Sequence, residues 1–209
     1  NETVAARLGG LHSAKCLMYS VDFAEIELLQ REGRWEEATE AMIDCGRRLA
    51  AGGADFIVIC TNTMHKMAEA VARETGLPLL HIADATSQKI VAEGYRKVGL
   101  LGTRFTMEEE FYAKRLEEGF ELEVLIPEAR DRETLHRVIY DELVKGIINP
   151  KSRESLLRII ERLASRGAQC VALACTEIGL LVKQSDTPLP LFDTALIHAQ
   201  AAAETALPA

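Results

Sequence analysis

No apolar run in the 209 residues approaches the roughly 20 that a membrane-spanning helix needs, and the opening Asn-Glu-Thr-Val-Ala-Ala-Arg is polar, with no apolar stretch of signal-peptide type. The expectation is a chain that stays in water. Positive charge is also scarce: 24 Lys and Arg against 32 Asp and Glu give a formal net charge of −8 and a pI near 5.2. A field of that sign repels phosphate backbones and anionic lipid, so neither nucleic acid nor a membrane is an expected partner. An anionic small molecule is still admissible, because a few inward-turned backbone N–H groups outweigh a distant surface charge. The five cysteines (Cys16, Cys45, Cys60, Cys170, Cys175) are odd in number and contain no CxxC pair and no Cys/His spacing of zinc type. Neither a disulfide framework nor a structural metal is indicated, and a reduced, cytoplasmic setting is expected. Nucleotide-binding glycine motifs are missing too. Gly99-Leu100-Leu101-Gly102-Thr103 has neither GxGxxG nor GK[ST] and reads as a strand end with a tight turn.

What is present is ordinary globular material: 48% hydrophobic and 27% charged residues, enough for one or two cores. Short apolar runs at 14–20, 56–60, 79–82, 97–101, 122–126, 170–174 and 190–192 read as buried strands. Between them, 35–51, 64–75, 84–93, 107–119, 131–145, 152–166 and 194–206 carry helical spacing. Thr106 followed by Glu109 has the spacing of a capping box. Strand and helix alternate, which predicts an α/β fold with mainly parallel sheets covered on both faces.

An internal repeat organises these elements. Arg48-Leu49-Ala50-x-x-Gly53-Ala54 recurs as Arg162-Leu163-Ala164-x-x-Gly167-Ala168, 114 positions later. After the strand and turn that follow each copy come Leu77-Pro78-Leu79-Leu80 and Leu189-Pro190-Leu191-Phe192, at an offset of 112. Two pseudo-symmetric α/β lobes are expected: 1–93, with a C-terminal helix over 196–209 returning to it, and 94–195. The register matters for chemistry. The position 114 before Cys175 is Thr61, while Cys60 corresponds to Ala174, a core position. Side chains alternate faces along a strand, so Cys60 and Thr61 face the same way only if the strand has already ended. Ligands of open α/β sheets sit beyond the carboxyl ends of the strands. The expectation is an interlobe cleft with Thr61 on one side and Cys175 on the other.

Cys60-Thr61-Asn62-Thr63-Met64-His65 and Ala174-Cys175-Thr176-Glu177, with Phe192-Asp193-Thr194 near the end, resemble the aspartate/glutamate racemase family over nearly the whole chain, and most of all the branch acting on L-aspartate and L-glutamate. The family pattern is Cys-Asn-Thr in the first half and Gly-Cys-Thr-Glu in the second, so threonine here replaces the first cysteine. The resemblance implies a cofactor-independent racemase, no metal, a small dicarboxylic amino acid as substrate, and a homodimer. It also implies a strand, a Gly-rich turn and a Met-Ser-Trp segment ahead of residue 1, where the counterpart of 98–103 would fall.

Inverting a stereocentre without a cofactor means removing the α-proton from one face and delivering another to the opposite face, so two acid/base groups must flank the carbon. A thiol suits the task, with an ordinary pKa of about 8.5 that leaves thiolate accessible near neutrality. Cys175 is the expected acid/base. Thr61, a much weaker acid, needs a relay or an ordered water, and Cys60 competes for its place if the strand ends early or bulges. His65, one turn on, reads either as a residue that orients Thr61 or relays its proton or as a packed or capping histidine; His198 reads as a packed or capping residue, and His12, His81 and His136 offer no such context. Asn62, Thr63 and Thr176 are the expected substrate-binding donors, with Gln30 reaching the same cleft and Lys145 as a remoter cation. Two other readings stay open: a hydantoin racemase or single-cysteine decarboxylase of the same fold, and a non-catalytic dicarboxylate-binding protein.

Overall fold

The repeat becomes geometry at its strand pairings. A computed structural model of the protein describes residues 1–207, so the last two residues of the helix expected over 196–209 lie outside the described residues. By its contacts the chain divides into two units. One comprises Asn1–Ile59, Lys66–Leu80 and the chain from Ala202 on; the other comprises Cys60–His65 and His81–Ala201.

The first unit carries helices α1 (Glu2–Leu8), α2 (Phe23–Arg31), α3 (Trp35–Ala51) and α4 (Ala68–Thr75), with a two-stranded parallel sheet of β1 (Ile57–Val58) and β2 (Leu79–Leu80). The strand expected at 14–20 does not form. That stretch joins neither sheet, and Leu17, Met18 and Tyr19 are 54%, 88% and 44% exposed. Apolar composition supplies no ladder partner, and without one a lone extended segment is not a strand.

In the second unit the helices α5 (Ile82–Ala92), α6 (Arg104–Glu108), α7 (Glu110–Phe120), α8 (Ala129–Arg137), α9 (Pro150–Ser165), α10 (Ile178–Leu181) and the start of α11 (Thr194–Ala206) accompany a parallel sheet. Its strands are β3 (Lys97–Gly102), β4 (Glu123–Leu125), β5 (Cys170–Ala174) and β6 (Leu191–Asp193), in the order β4-β3-β5-β6. Side-chain alternation is visible along β5. Cys170, Ala172 and Ala174 join a core with Ile82, Ile90, Tyr112 and Leu116, whereas Val171, Leu173 and the next residue, Cys175, join a second core with Leu156, Ile159, Ile160 and Leu163.

Two helical expectations are corrected. The single helix expected over 107–119 breaks at Glu109, whose extended backbone separates α6 from α7. The cap is Thr103, not Thr106: the Thr103 hydroxyl accepts from Thr106 N–H, so Thr106 lies inside α6 and the Thr106/Glu109 capping box does not exist. The helix expected over 131–145 stops at Arg137 and continues as a wider π turn (Val138–Glu142) and a 3-10 turn (Leu143–Lys145).

The repeat itself holds to the hydrogen bond. Ile57 N–H donates to Pro78 O at 2.9 Å in the first unit, and its counterpart Val171 N–H donates to Pro190 O at 2.8 Å in the second. Ile57 and Val58 pair with Leu79 and Leu80 as Val171 and Ala172 pair with Leu191 and Phe192. The offsets of 114 and 112 read in the sequence are therefore those of equivalent backbone positions. The equivalence continues into the next helices: His81 caps α5 by accepting from Ala83 N–H, and Asp193 caps α11 by accepting from Ala195 N–H.

Candidate active site

The turn Cys60–His65 belongs to the second unit, so Thr61, Asn62, Thr63 and Cys175 share one compact body. β1 ends at Val58, and the chain runs past it without strand geometry into a 3-10 turn at Thr63–Met67. Cys60 is consequently not the core residue its alignment with Ala174 implies. Cys60 is exposed while Ala174 is fully buried, because Cys60 lies past the end of β1 in a two-stranded sheet whereas Ala174 lies within β5, an inner strand of the four-stranded sheet.

Hydrogen bonds staple this turn to the carboxyl edge of the sheet. Asn62 Nδ2 donates to the Thr194 hydroxyl at 3.0 Å, and that hydroxyl donates to the carbonyl of Leu173 on β5. Asn62 Oδ1 is buried and has no partner among the described residues. The Thr63 hydroxyl lies 3.0 Å from that of Thr103 and 3.4 Å from that of Thr106, and those two are 3.2 Å apart. Three buried hydroxyls thus meet where β3 ends and α6 begins. Gly102 allows it: a Cβ there would stand 2.7 Å from Ala174 O and 3.1 Å from Thr106 Cβ.

Cys175 follows β5 directly and is buried. Its Sγ donates to Glu177 Oε2 at 3.1 Å, and the Thr176 hydroxyl donates to the same oxygen at 2.7 Å. Burial first, and the Glu177 carboxylate second, hold the thiol well above the ordinary cysteine range. The accessible thiolate expected from an unperturbed thiol is therefore not the resting state; the resting group is a thiol already hydrogen-bonded to a carboxylate. Partial burial raises the Cys60 thiol as well.

His65 is buried and spends both ring nitrogens. Nδ1 donates to the carbonyl of Thr61 at 2.7 Å, and Nε2 accepts from Ile82 N–H, at the start of α5, at 3.1 Å. With both nitrogens engaged, it has none left to relay a proton to the Thr61 hydroxyl, so the expected relay role is corrected. His81, which the sequence offered no reason to choose, lies against it with ring centroids 4.4 Å apart, and His198 follows at 5.6 Å. Gln30 is buried on α2 in the first unit. Lys145 is an exposed residue at the end of a 3-10 turn.

Three participants were missed in the sequence. In the sequence Glu177 is only the last residue of Cys175-Thr176-Glu177, and its distance to Cys175 sets it beside the thiol. Thr103 and Thr106 had a signal: the strand-end rule that selected Thr61 and Cys175, applied to β3, leads to Thr103.

The sequence model of the family described as Asp/Glu/Hydantoin racemase matches residues 1–202. The chain belongs to that family. A Yersinia pestis protein of known structure, provisionally named an Asp/Glu racemase, is 51% identical, superposes with a TM-score of 0.92, and is matched over 100% of this chain and 90% of its own. An aspartate racemase homologue from Pyrococcus horikoshii OT3 is 35% identical with a TM-score of 0.81, over 98% of this chain and 91% of that one. The broad specificity amino-acid racemase RacX of Bacillus subtilis (strain 168) is 24% identical over 179 residues, 82% of this chain and 74% of RacX. Family and relatives together support an amino-acid racemase, as the resemblance implied. No helix among the described residues is long and apolar enough to cross a membrane.

Proposed function

We propose that the protein interconverts the L and D forms of aspartate or glutamate without a cofactor, with Cys175 and Thr61 as the acid/base groups on opposite faces of the α-carbon. What supports this reading is the equivalence of the two halves: matching backbone bonds, Ile57 to Pro78 and Val171 to Pro190, set the frame in which Thr61 and Cys175 are corresponding positions, 114 residues apart. Cys175 starts as a thiol. Glu177 Oε2, which already accepts its proton's hydrogen bond, takes that proton as the thiolate removes the α-hydrogen. The carbanion is then protonated from the other face through the Thr61 hydroxyl, a weak acid that works through an adjacent water.

Substrate recognition follows from donors and acceptors. The unpartnered Asn62 Oδ1 is an acceptor suited to an α-ammonium, and the hydroxyls of Thr63, Thr103 and Thr106 are neutral donors for a carboxylate. Thr176 and Gln30 complete the proposed binding set. A homodimer in the cytoplasm is part of the same reading and rests on the family resemblance alone. The two enantiomers have equal free energy in water, so kcat/KM is the same in both directions however unlike the two faces are.

The test is incubation in D₂O with each enantiomer of aspartate and glutamate, following the α-proton by NMR and configuration by chiral chromatography. Exchange with inversion is expected for wild type and for Cys60→Ser, and neither for Cys175→Ser. Absence of exchange with every dicarboxylic amino acid sinks the racemase reading in favour of a binding protein. Exchange or loss of carbon dioxide from a hydantoin or a malonate instead moves the activity to a relative of the same fold.

A further inference from the structure

We propose that His65 is a positioning residue for Thr61: its imidazole bridges the Thr61 carbonyl to the first N–H of α5 and so holds the hydroxyl-bearing side of the site in register. This rests on the racemase reading above. The need for a brace comes from an asymmetry between the two halves. Cys175 immediately follows a five-residue strand that is paired with β3 up to Ala174–Gly102 and with β6 up to Leu173–Asp193. Thr61 stands three residues beyond a two-residue strand, where no ladder bond holds the backbone.

The equivalence of the halves sharpens the point. His65 corresponds to Gly179, and His81 to Asp193. In the second half the Asp193 carboxylate closes directly on Gly179, where a Cβ would stand 2.5 Å from Asp193 Oδ2. In the first half the same place is filled by two imidazoles in edge-to-face contact. Both rings are held in defined tautomers. The Thr61 carbonyl can only accept, so His65 Nδ1 carries the hydrogen, and Ile82 N–H can only donate, so Nε2 is bare. His81 Nδ1 accepts from Ala83 N–H and is bare in turn. Exchanging the two nitrogens of His65 breaks both of its bonds at once, so the ring has one orientation and passes that rigidity to Thr61.

Two substitutions separate the bonds. His65→Asn places an amide N–H where Nδ1 stood and keeps the bond to Thr61; His65→Gln places its amide oxygen where Nε2 stood and keeps only the bond to Ile82. Each is assayed in D₂O with both enantiomers, beside Thr61→Ala, with thermal unfolding recorded for all. His65→Asn is expected to keep most of kcat. His65→Gln is expected to lose on the order of 10²-fold in kcat, the cost of misplacing a reacting group by about an ångström. It should also raise the ratio of α-proton exchange to inversion for the enantiomer whose hydrogen faces Cys175, the same change expected of Thr61→Ala. A purely structural histidine lowers Tm and total activity without moving that ratio. Equal loss in the Asn and Gln variants, or an unchanged ratio in His65→Gln, overturns the role of His65 while the racemase reading stands. A wild type that exchanges no α-proton overturns both. Imidazole ¹⁵N shifts of the wild-type protein decide the geometry whether or not the variants fold: a hydrogen on Nδ1 is expected, and a hydrogen on Nε2 overturns the bridge.

Discussion

A buried thiol beside a carboxylate poses a two-signed problem, and Cys175 is such a thiol. Glu177 raises the thiol by its charge and by accepting its hydrogen bond, which opposes thiolate formation. The same oxygen, 3.1 Å away, is the nearest acceptor for the proton that must leave. Glu177→Gln separates the two effects. Removing the charge lowers the thiol pKa, which by itself favours the thiolate; removing the acceptor closes the route by which the proton departs. If Glu177 is the base, kcat falls by about 10² to 10⁴, the usual worth of a positioned proton acceptor, even as ultraviolet titration against Cys175→Ser shows the thiol ionising at lower pH. A variant that ionises more readily and turns over faster means that Glu177 is only an electrostatic load. At this scale the sequence was legible where spacing carries the information: Thr61 and Cys175 emerged from the offset, and Asn62 and Thr63 from their adjacency. It was illegible where the controlling fact is a distance. Neither the raised thiol nor the engagement of both His65 nitrogens follows from residue order, and Cys60 was misplaced because nothing in Ile57-Val58-Ile59-Cys60 announces that the strand ends after two residues.

Among elements, the caps explain both what was readable and what was overread. The repeated Arg-Leu-Ala-x-x-Gly-Ala is a helix terminus followed by a left-handed glycine. Gly53 has φ of +90° and Gly167 of +95°, Ala54 N–H donates to Leu49 O, and Ala168 N–H to Leu163 O. The same pattern closes α5, where Gly94 has φ of +86° and Tyr95 N–H donates to Ile90 O, with a different sequence. The cap motif alone is thus weak evidence of duplication, and the strand pairings that follow it are strong evidence. At α7 a glutamate takes the place of the left-handed glycine. α7 ends at Glu121, the one non-glycine residue among those described with a positive φ, at +54°. Its side chain makes no ion pair among the described residues to offset the left-handed strain, so Glu121→Gly is expected to raise the unfolding free energy by up to about 1 kcal/mol, reduced by the greater freedom of glycine in the unfolded chain. Urea denaturation at pH 7.5 measures it, and a decrease would mean that Glu121 contributes contacts outweighing the strain. Composition alone misleads in the other direction at 14–20, an apolar run that forms no strand because ladder partners, and not hydropathy, decide that state.

For the molecule as a whole, the edge-to-face imidazoles of His65 and His81 tie stability to pH. Burial first, and the neighbouring charges second, push His65 down to about 3 and His81 likewise to about 3. Both rings stay neutral in the folded protein over the range in which an unfolded histidine, with a pKa near 6.5, becomes charged. Between those two values the unfolded chain binds more protons than the folded one, so stability rises with pH: it is fully present above about 6.5 and is lost progressively as pH falls toward 3. Each such proton contributes a slope of at most about 1.4 kcal/mol per pH unit. The groups facing these rings are His198, Arg115 and, paired with Arg115 through a two-pronged contact, Asp84. Measuring urea midpoints from pH 7.5 to 5 stays above the carboxylate range and isolates the histidines. His136, also lowered by burial, adds to the wild-type slope, so the control must remove one ring of the pair alone. His81→Asn does so while retaining an oxygen to accept from Ala83 N–H, as Asp193 does for Ala195 in the second half. Between pH 7.5 and pH 5 the variant is expected to lose less stability than wild type, with a visibly shallower slope. An unchanged slope would place the acid sensitivity elsewhere and leave the neutral imidazole pair without a thermodynamic signature. A shallower slope together with retained exchange of the α-proton would separate the two functions of this corner of the fold, His81 setting how the protein withstands acid and His65 setting where Thr61 stands.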